Sequence, residues 1–409
     1  MKLSKVKLNE DEIFKGDRVE IKPTDEIKLY LIKFDYLSRC VYNWGIDVEQ
    51  QYYLNYKSGK TKKGFLSFID LSVLYDNELK NNPDMAYLRE LPLNTARESL
   101  KEVDDAYQMF FKGYNKVPKH RVKYKNHLSF RTRSERTHID ESGVRIEGLP
   151  PMIRIPTNDR RFDGYGSWKN DKSKLYNTGI IYDGYKYWFT FQIIIKTTPY
   201  EIEKTDPIGI DIGQINPAVT SDGIYYTKPD TKKLEKRIKH EQRHVARDRK
   251  IINKMFEECD DPNITKDDLK SKNMIKREQK LAKLQRKYTN IMTDFYYKSA
   301  IDMIKNNPSA VCIETIRPSD ITSRFPSSHK YMHNIAMRKY SEIIQFEAKK
   351  HAIPVLLADK EFPSSQMCSK CGNINKNIGG HRMYICPKCG NKLDRDLNAS
   401  INLKNLYYI

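Results

Sequence analysis

The sequence predicts an α+β multidomain chain: a β-barrel interrupted by a helical lobe, then an α/β unit carrying a cysteine-bounded insertion. Three observations carry that reading. Strand-like alternation lies on both sides of a helical block, at Val6, Leu8, Val19 and Ile21 before it and between Val144 and Phe191 after it. Beyond residue 205, two short apolar strands each hold a single acid, Asp211 and Glu314. Finally, Cys368-Ser-Lys-Cys371-Gly and Cys386-Pro-Lys-Cys389-Gly are two knuckles of matching pattern, with fourteen residues between Cys371 and Cys386.

The first half reads in order. Residues 1–22 alternate apolar and charged side chains, as short strands do. Pro23-Thr24-Asp25-Glu26 is a helix start, with Thr24 as N-cap and two acids in the first turn. Ile27, Leu31, Phe34, Leu37, Val41, Trp44 and Val48 then keep helical spacing to about Tyr53. Further helices are expected over 66–80 and 94–112, the second with Ala96, Leu100, Val103, Tyr107 and Phe110 as one apolar stripe. After Gly113 the period stops. Lys116, Lys119, His120, Arg121, Lys123, Lys125, Arg131 and Arg133 alternate with Tyr114, Tyr124 and Phe130. Such a stretch either contacts phosphates and stacks on bases or is a solvated loop. Gly179–Tyr182 and Tyr185–Phe191 read as a hairpin whose Asp183-Gly184 turn is compatible with type I′.

A new unit begins near 205. Ile208-Gly-Ile-Asp211-Ile-Gly213 is a buried-type strand, and Ala218–Thr220 with Ile224–Tyr226 completes a meander. Helices are expected over 231–256 and 266–305, the second with Leu281, Leu284, Tyr288, Ile291, Phe295 and Ile304 on its apolar side. The strand ending at Glu314, a helix over 330–350, the strand Ile353–Ala358, the knuckles and a last helix over 396–406 follow.

Composition narrows the function class. The 409 residues carry a formal charge of +20 despite 53 acids, so the basic excess is spread over folded protein and concentrates polyanions. Four of the seven cysteines are in the knuckles; Cys40, Cys259 and Cys312 fall in no pairing pattern, as in a reducing compartment. With no apolar leader and no membrane-length run, a cytoplasmic or DNA-associated protein with no membrane partner is expected.

The knuckles supply four thiolates, Cys368, Cys371, Cys386 and Cys389, at the spacing of a structural, tetrahedral Zn2+ ribbon. A single acid inside an apolar strand is costly to bury unpaired. A hard divalent cation removes that cost, so Asp211, Glu314 and Asp396 together read as a Mg2+ site. Two such ions can activate water and stabilise the leaving oxygen of a phosphodiester. Taken alone, Asp396 is equally an acid placed at a helix N-terminus by the dipole.

Gly209-Ile-Asp211-Ile-Gly213 with Ser221-Asp222-Gly223, then Val311-Cys-Ile-Glu314, then Arg395-Asp396-Leu-Asn398-Ala399-Ser-Ile-Asn402 resemble the three nuclease motifs of the TnpB family. These are transposon-associated RNA-guided DNA nucleases, related to the miniature type V CRISPR effectors. The ribbon stands between the second and third motifs, introduced by Ser364-Ser365-Gln366, as in that family. The likeness covers 205–406 and is looser before it. Thr315-Ile-Arg317-Pro318 and Pro363 depart from the family pattern, and neither touches the acids.

The resemblance implies a wedge β-barrel (1–22 and 116–204), a helical recognition lobe (23–115), an RNase H-like RuvC domain (205–360 and 393–409) and a zinc ribbon (361–392). It implies an endodeoxyribonuclease that binds a guide RNA from the transposon end, or a CRISPR RNA, reads a short target-adjacent motif and cuts double-stranded DNA. Asp211, Glu314 and Asp396 would act with two Mg2+ ions, and Lys119, Arg121, Lys123, Lys125, Arg131 and Arg395 would contact nucleic acid. A miniature CRISPR effector, a nuclease-inactive RNA-guided repressor and a guide-free resolvase or transposase are the alternatives. An inactive binder is expected to have lost acids that this chain keeps. His240 and His244, four apart on a charged helix, read as solvated, and His381 is redundant beside four cysteines. Arg395 either meets phosphate or pairs with Asp394.

Overall fold

The structure, a computed structural model, describes residues 7–113, 115–122, 127–140, 143–149, 153–154, 175–213, 215–259, 261, 264, 266–315, 337–359, 361–379 and 381–409. Val6, Tyr114, Lys123, Tyr124, Lys125, Met152, Ile155, Arg317 and Pro318 lie outside them. The chain divides into two units, one holding Phe14–Ile195 and the other Leu8–Ile13 with Lys196–Ile409.

In the first unit Thr24 caps α1 (Asp25–Lys57), its hydroxyl accepting from the Ile27 amide. The expected stripe is buried from Ile27 to Val41, whereas Trp44 and Val48 are half-exposed and Ile46 and Glu49 take the interior positions. Helices α2 (Phe68–Asn81) and α3 (Leu93–Phe111) follow, α2 opened by a capping box between Ser67 and Asp70. The strands are β1 (Glu12–Ile21), β2 (Leu128–Arg131), β3 (His138–Asp140), β4 (Gly143–Arg145), β5 (Tyr176–Tyr182) and β6 (Tyr187–Lys196). They form a four-stranded sheet in the order β1-β6-β5-β2 and a separate β3–β4 ladder. Leu31 and Phe34 of α1 share one core with Phe130, Phe189 and Phe191 of the sheet.

The hairpin departs from its expected turn. The Asp183 amide donates to the Lys186 carbonyl, so the central residues are Gly184 and Tyr185 rather than Asp183 and Gly184. Only Gly184 has a positive φ, +83°. The reason is local: the Asp183 carboxylate accepts from the Tyr185 and Lys186 amides and from the Trp188 indole, folding the loop around itself.

Glu49 is fully buried, and both its oxygens accept from the Leu66 amide, at 3.2 and 3.1 Å. Burial, only partly offset by that amide and reinforced by Asp104 and Asp70, pushes its carboxyl up to about 7. The folded protein therefore holds this proton more tightly than the unfolded chain does. Stability is greatest below the ordinary value of 4.5 and falls as pH rises towards 7. Glu49→Gln keeps an acceptor for Leu66 and removes the charge. At pH 8 it is expected to stabilise the protein by about 1–3 kcal/mol. Denaturant unfolding at pH 5 and pH 8 checks this, and parallel pH profiles for the two proteins would contradict it.

The second unit is built on one mixed sheet. Its strands are β7 (Ile208–Asp211), β8 (Ala218–Thr220), β9 (Tyr225–Tyr226), β10 (Val311–Glu314) and β11 (Val355–Ala358), in the order β11-β10-β7-β8-β9. β7, β8 and β9 are an antiparallel meander, and β10 and β11 run parallel to β7. Among the described residues the α-helices are α4 (Lys232–Glu257), α5 (Lys272–Ile304), α6 (Met337–Lys350) and α7 (Arg395–Asn405). Ile208, Ile210, Val311 and Ile313 face a core made with Tyr296, Ala300 and Met303 of α5 and Tyr340 and Ile344 of α6. The apolar stripe of α5 runs through Met292, Tyr296 and Met303, one residue on from the expected Ile291 and Phe295, which are half-buried at its flank. No described helix is long and apolar enough to cross a membrane.

Candidate active site

Strand periodicity sorts the residues of β7 and β10. With Ile208 and Ile210 committed to the α5–α6 core, Gly209 and Asp211 must point to the opposite face. Val311 and Ile313 do the same for Cys312 and Glu314, and Cys312 indeed packs with Leu403 of α7. Register then aligns the two strands: Val311 pairs with Ile208, Cys312 with Gly209 and Ile313 with Ile210. The next step brings Glu314 beside Asp211 at the carboxyl ends of two adjacent parallel strands.

The third acid arrives on α7, which lies against β7 at Gly209. A Cβ on Gly209 would fall 1.9 Å from the Ser400 carbonyl oxygen and 2.4 Å from the Lys404 amide nitrogen. Only a residue without a side chain lets the helix backbone rest on the strand. Asp396, one turn before Ser400, then stands over the end of β7 near Asp211. It does not cap the helix, since Asp394 does so by accepting from the Asp396 and Leu397 amides. Asp396 stands in the first turn, where the dipole favours an acid, and leaves the cap to Asp394.

Burial first, then the charges of Glu314 and Asp396, holds the Asp211 carboxyl well above the usual carboxylate range. Burial also raises Glu314, opposed by a hydrogen bond from Ser364 and by the Arg395 charge. Asn216 Nδ2 donates to Asp396 Oδ2 at 3.4 Å, and the Arg382 guanidinium stands 3.8 Å from the same oxygen. All three acids remain partly accessible. Three carboxylates on one half-open face, with no soft donor among them, are a donor set for a hard divalent cation.

The ribbon is two copies of one turn. The Gly372 amide donates to the Cys368 carbonyl, and the Gly390 amide to that of Cys386; φ is +69° and +70° at the two glycines. Cys368 and Cys389 sulfurs are 3.7 Å apart, those of Cys371 and Cys386 3.6 Å. Tetrahedral Zn–S bonds of about 2.3 Å separate sulfurs by roughly 3.8 Å, so the residues fit zinc. Among the described residues, these four form the one group of three or more His, Cys, Asp or Glu whose ligand atoms all lie within 4.8 Å of one another. The three carboxylates stand further apart, as like charges sharing a face do. Cys368→Ser is expected to take bound zinc from one equivalent towards none. Metal analysis of the purified variant checks this, and an unchanged content would contradict the ribbon.

Three residues that the motifs contain without a stated role acquire one in the structure. Ser364 donates to Glu314, joining the segment ahead of the ribbon to the second acid. Asn402 Nδ2 donates to the Ser364 and Met367 carbonyls, and Asn398 bridges the Met367 carbonyl and the Ser369 amide. Asn398 and Asn402 thereby fasten the ribbon's entry to the helix that carries Asp396. The signal for them is two fully buried amides four apart on the inner face of a short helix.

The expected nucleic-acid contacts are placed differently from one another. Arg121 pairs with Glu102 at 2.6 Å and lies over the Tyr42 ring at 3.7 Å, and Arg131 pairs with Glu102 at 3.0 Å. Lys119 is exposed, and Lys123 and Lys125 lie outside the described residues. Arg395 donates to the Gly379 carbonyl at 3.2 Å, which differs from the pairing with Asp394 considered above.

The family profile described as "Cas12f1-like, TNB domain" matches residues 338–403, from α6 through the ribbon to α7. A Streptomyces pristinaespiralis protein named "Putative RNA-guided DNA endonuclease" is 22% identical over 93% of this chain and 86% of its own length. The "TnpB-like protein L79" of Acanthamoeba polyphaga mimivirus is 28% identical over 34% of this chain and 27% of its own length. Among solved structures, a chain of a Cas12f1–sgRNA–target DNA complex aligns over 97% of this chain and 99% of that one, with 13% identity and a TM-score of 0.49. The chain is thus similar to TnpB-like proteins over part of its length and, over residues 338–403, to the Cas12f1-like TNB domain.

Proposed function

We infer that this chain is an RNA-guided DNA endonuclease of the TnpB type. The observation that carries the reading is the gathering of Asp211, Glu314 and Asp396 on one face of the second unit's sheet, under α7. The meander of β7–β9 followed by parallel β10 and β11 supports an RNase H-like, RuvC-type domain over 205–360 and 393–409, with the ribbon at 361–392. Strands before and after three helices support a wedge domain (1–22 and 116–204) holding a recognition lobe (23–115).

Asp211, Glu314 and Asp396 would hold the Mg2+ ions. When bound, these supply the positive charge that activates water and neutralises the leaving oxygen of a phosphodiester. The chain's own residues do the rest. Ser364 aims Glu314, Asn216 and Arg382 hold Asp396 Oδ2, and Gly209 sets how closely α7 approaches β7. The basic excess of +20 grips phosphates, so affinity for RNA and DNA should fall steeply with salt. Base pairing reads the target while the protein reads backbone, shape and a short adjacent motif.

With Glu102 already engaging Arg121 and Arg131, Lys119 is the described member of that set best placed to meet phosphate. All three acids are kept, which favours a nuclease over an inactive binder. The test is cleavage of a plasmid bearing the sequence matched by the protein's RNA, with and without Mg2+. Cutting that needs both supports the reading; cutting that needs neither RNA nor a divalent cation sinks it.

A further inference from the structure

Away from the carboxylates and the ribbon, two histidines of α4 come within reach of a common ion. His240 and His244 are one turn apart on α4, their rings edge to face with centroids 4.5 Å apart. Their Nε2 atoms are 3.3 Å apart. Two Zn–N bonds of about 2.0–2.1 Å at a tetrahedral angle set the nitrogens roughly 3.3–3.4 Å apart. The spacing is therefore that of a bis-imidazole chelate. His240 Nδ1 lies 3.6 Å from Glu241 Oε1, so the Nε2 atoms, and not Nδ1, face each other across the shared position.

On sequence alone the surrounding cations argue for solvated histidines. The structure answers that objection in part. Lys280 pairs with Glu241 at 2.6 Å and Arg277 with Asp248 at 2.8 Å, so two of the flanking charges are neutralised by acids of α4 itself. The histidines open onto a cavity of about 420 Å3 that Asn273 and Lys276 also line, with room for further ligands.

We propose that His240 and His244 form a second metal site, separate from the four cysteines, that takes a Zn2+-class ion. Imidazole pairs suit zinc and its transition-metal neighbours, not Mg2+. The remaining positions would be filled by water or by an anionic group entering the cavity.

The test titrates Zn2+ calorimetrically into the full chain with its cysteine centre already zinc-loaded. A second equivalent is expected, bound at least about ten-fold more weakly by His240→Asn or His244→Asn. His240 is exposed and His244 half-buried, and neither belongs to a hydrophobic core, so neither substitution removes core. A reading that needs no variant is acylation of the two histidines by diethyl pyrocarbonate, followed peptide by peptide; Zn2+ should slow it. Absence of a second equivalent, equal uptake by both variants, or unchanged acylation would each overturn the site.

Discussion

Asp211→Asn is expected to cut Mg2+-dependent DNA cleavage by on the order of 10³-fold or more while leaving the unliganded protein no less stable than the wild type. The two outcomes have one cause. Asp211 is held against burial and against two other carboxylates, so its charge opposes folding until a cation joins it. Asn removes that charge with almost no change of shape, and with it a ligand. Mg2+ should accordingly raise the melting temperature of the wild type and have less effect on the variant. Plasmid cleavage and thermal unfolding, each with and without Mg2+, check both halves. Full activity in the variant would remove Asp211 from the site, and a large loss of stability would make its role structural.

Gly209→Ala should lower stability and activity together, which separates it from Asp211→Asn. The new methyl group would meet the backbone of α7, at the Ser400 carbonyl and the Lys404 amide, where no side chain can rotate away. The helix must lift, at a cost of about 3 kcal/mol or more. Asp396 lifts with it. A displacement of about 1 Å at a catalytic group is enough for a loss on the order of 10²-fold. Thermal unfolding and cleavage rates measure the pair of effects; a variant with the wild-type melting temperature would mean that α7 does not rest on β7 as described.

The second unit was the more legible in sequence, for a physical reason. One charge in a run such as Ile208-Gly-Ile-Asp211-Ile has few structural explanations, and the alternation of β7 and β10 decides which face it takes. The knuckles were legible because thiolate spacing and a left-handed turn leave few other foldings. What the sequence did not carry was partnership across long separations. Glu102 meets Arg121 and Arg131, and Ser364 meets Glu314, through contacts that periodicity does not encode. Asp183 turned its loop by one residue because a side chain, not the backbone, supplied the acceptors. Along α5, Leu284 and Ile304 are buried as expected, and between them Met292 and Tyr296 are buried more deeply than Ile291 and Phe295, because the apolar side is wide enough for the packing of α6 to choose within it.

The most direct measurement of the central claim is sequencing of the RNA that co-purifies with the protein, followed by exchange of its variable segment. A TnpB-type nuclease is expected to retain one discrete structured RNA, and the exchanged segment should redirect Mg2+-dependent cutting to the DNA that matches it. No bound RNA, or a mixed population whose removal by ribonuclease leaves cutting unchanged, would contradict RNA guidance and leave a guide-free nuclease.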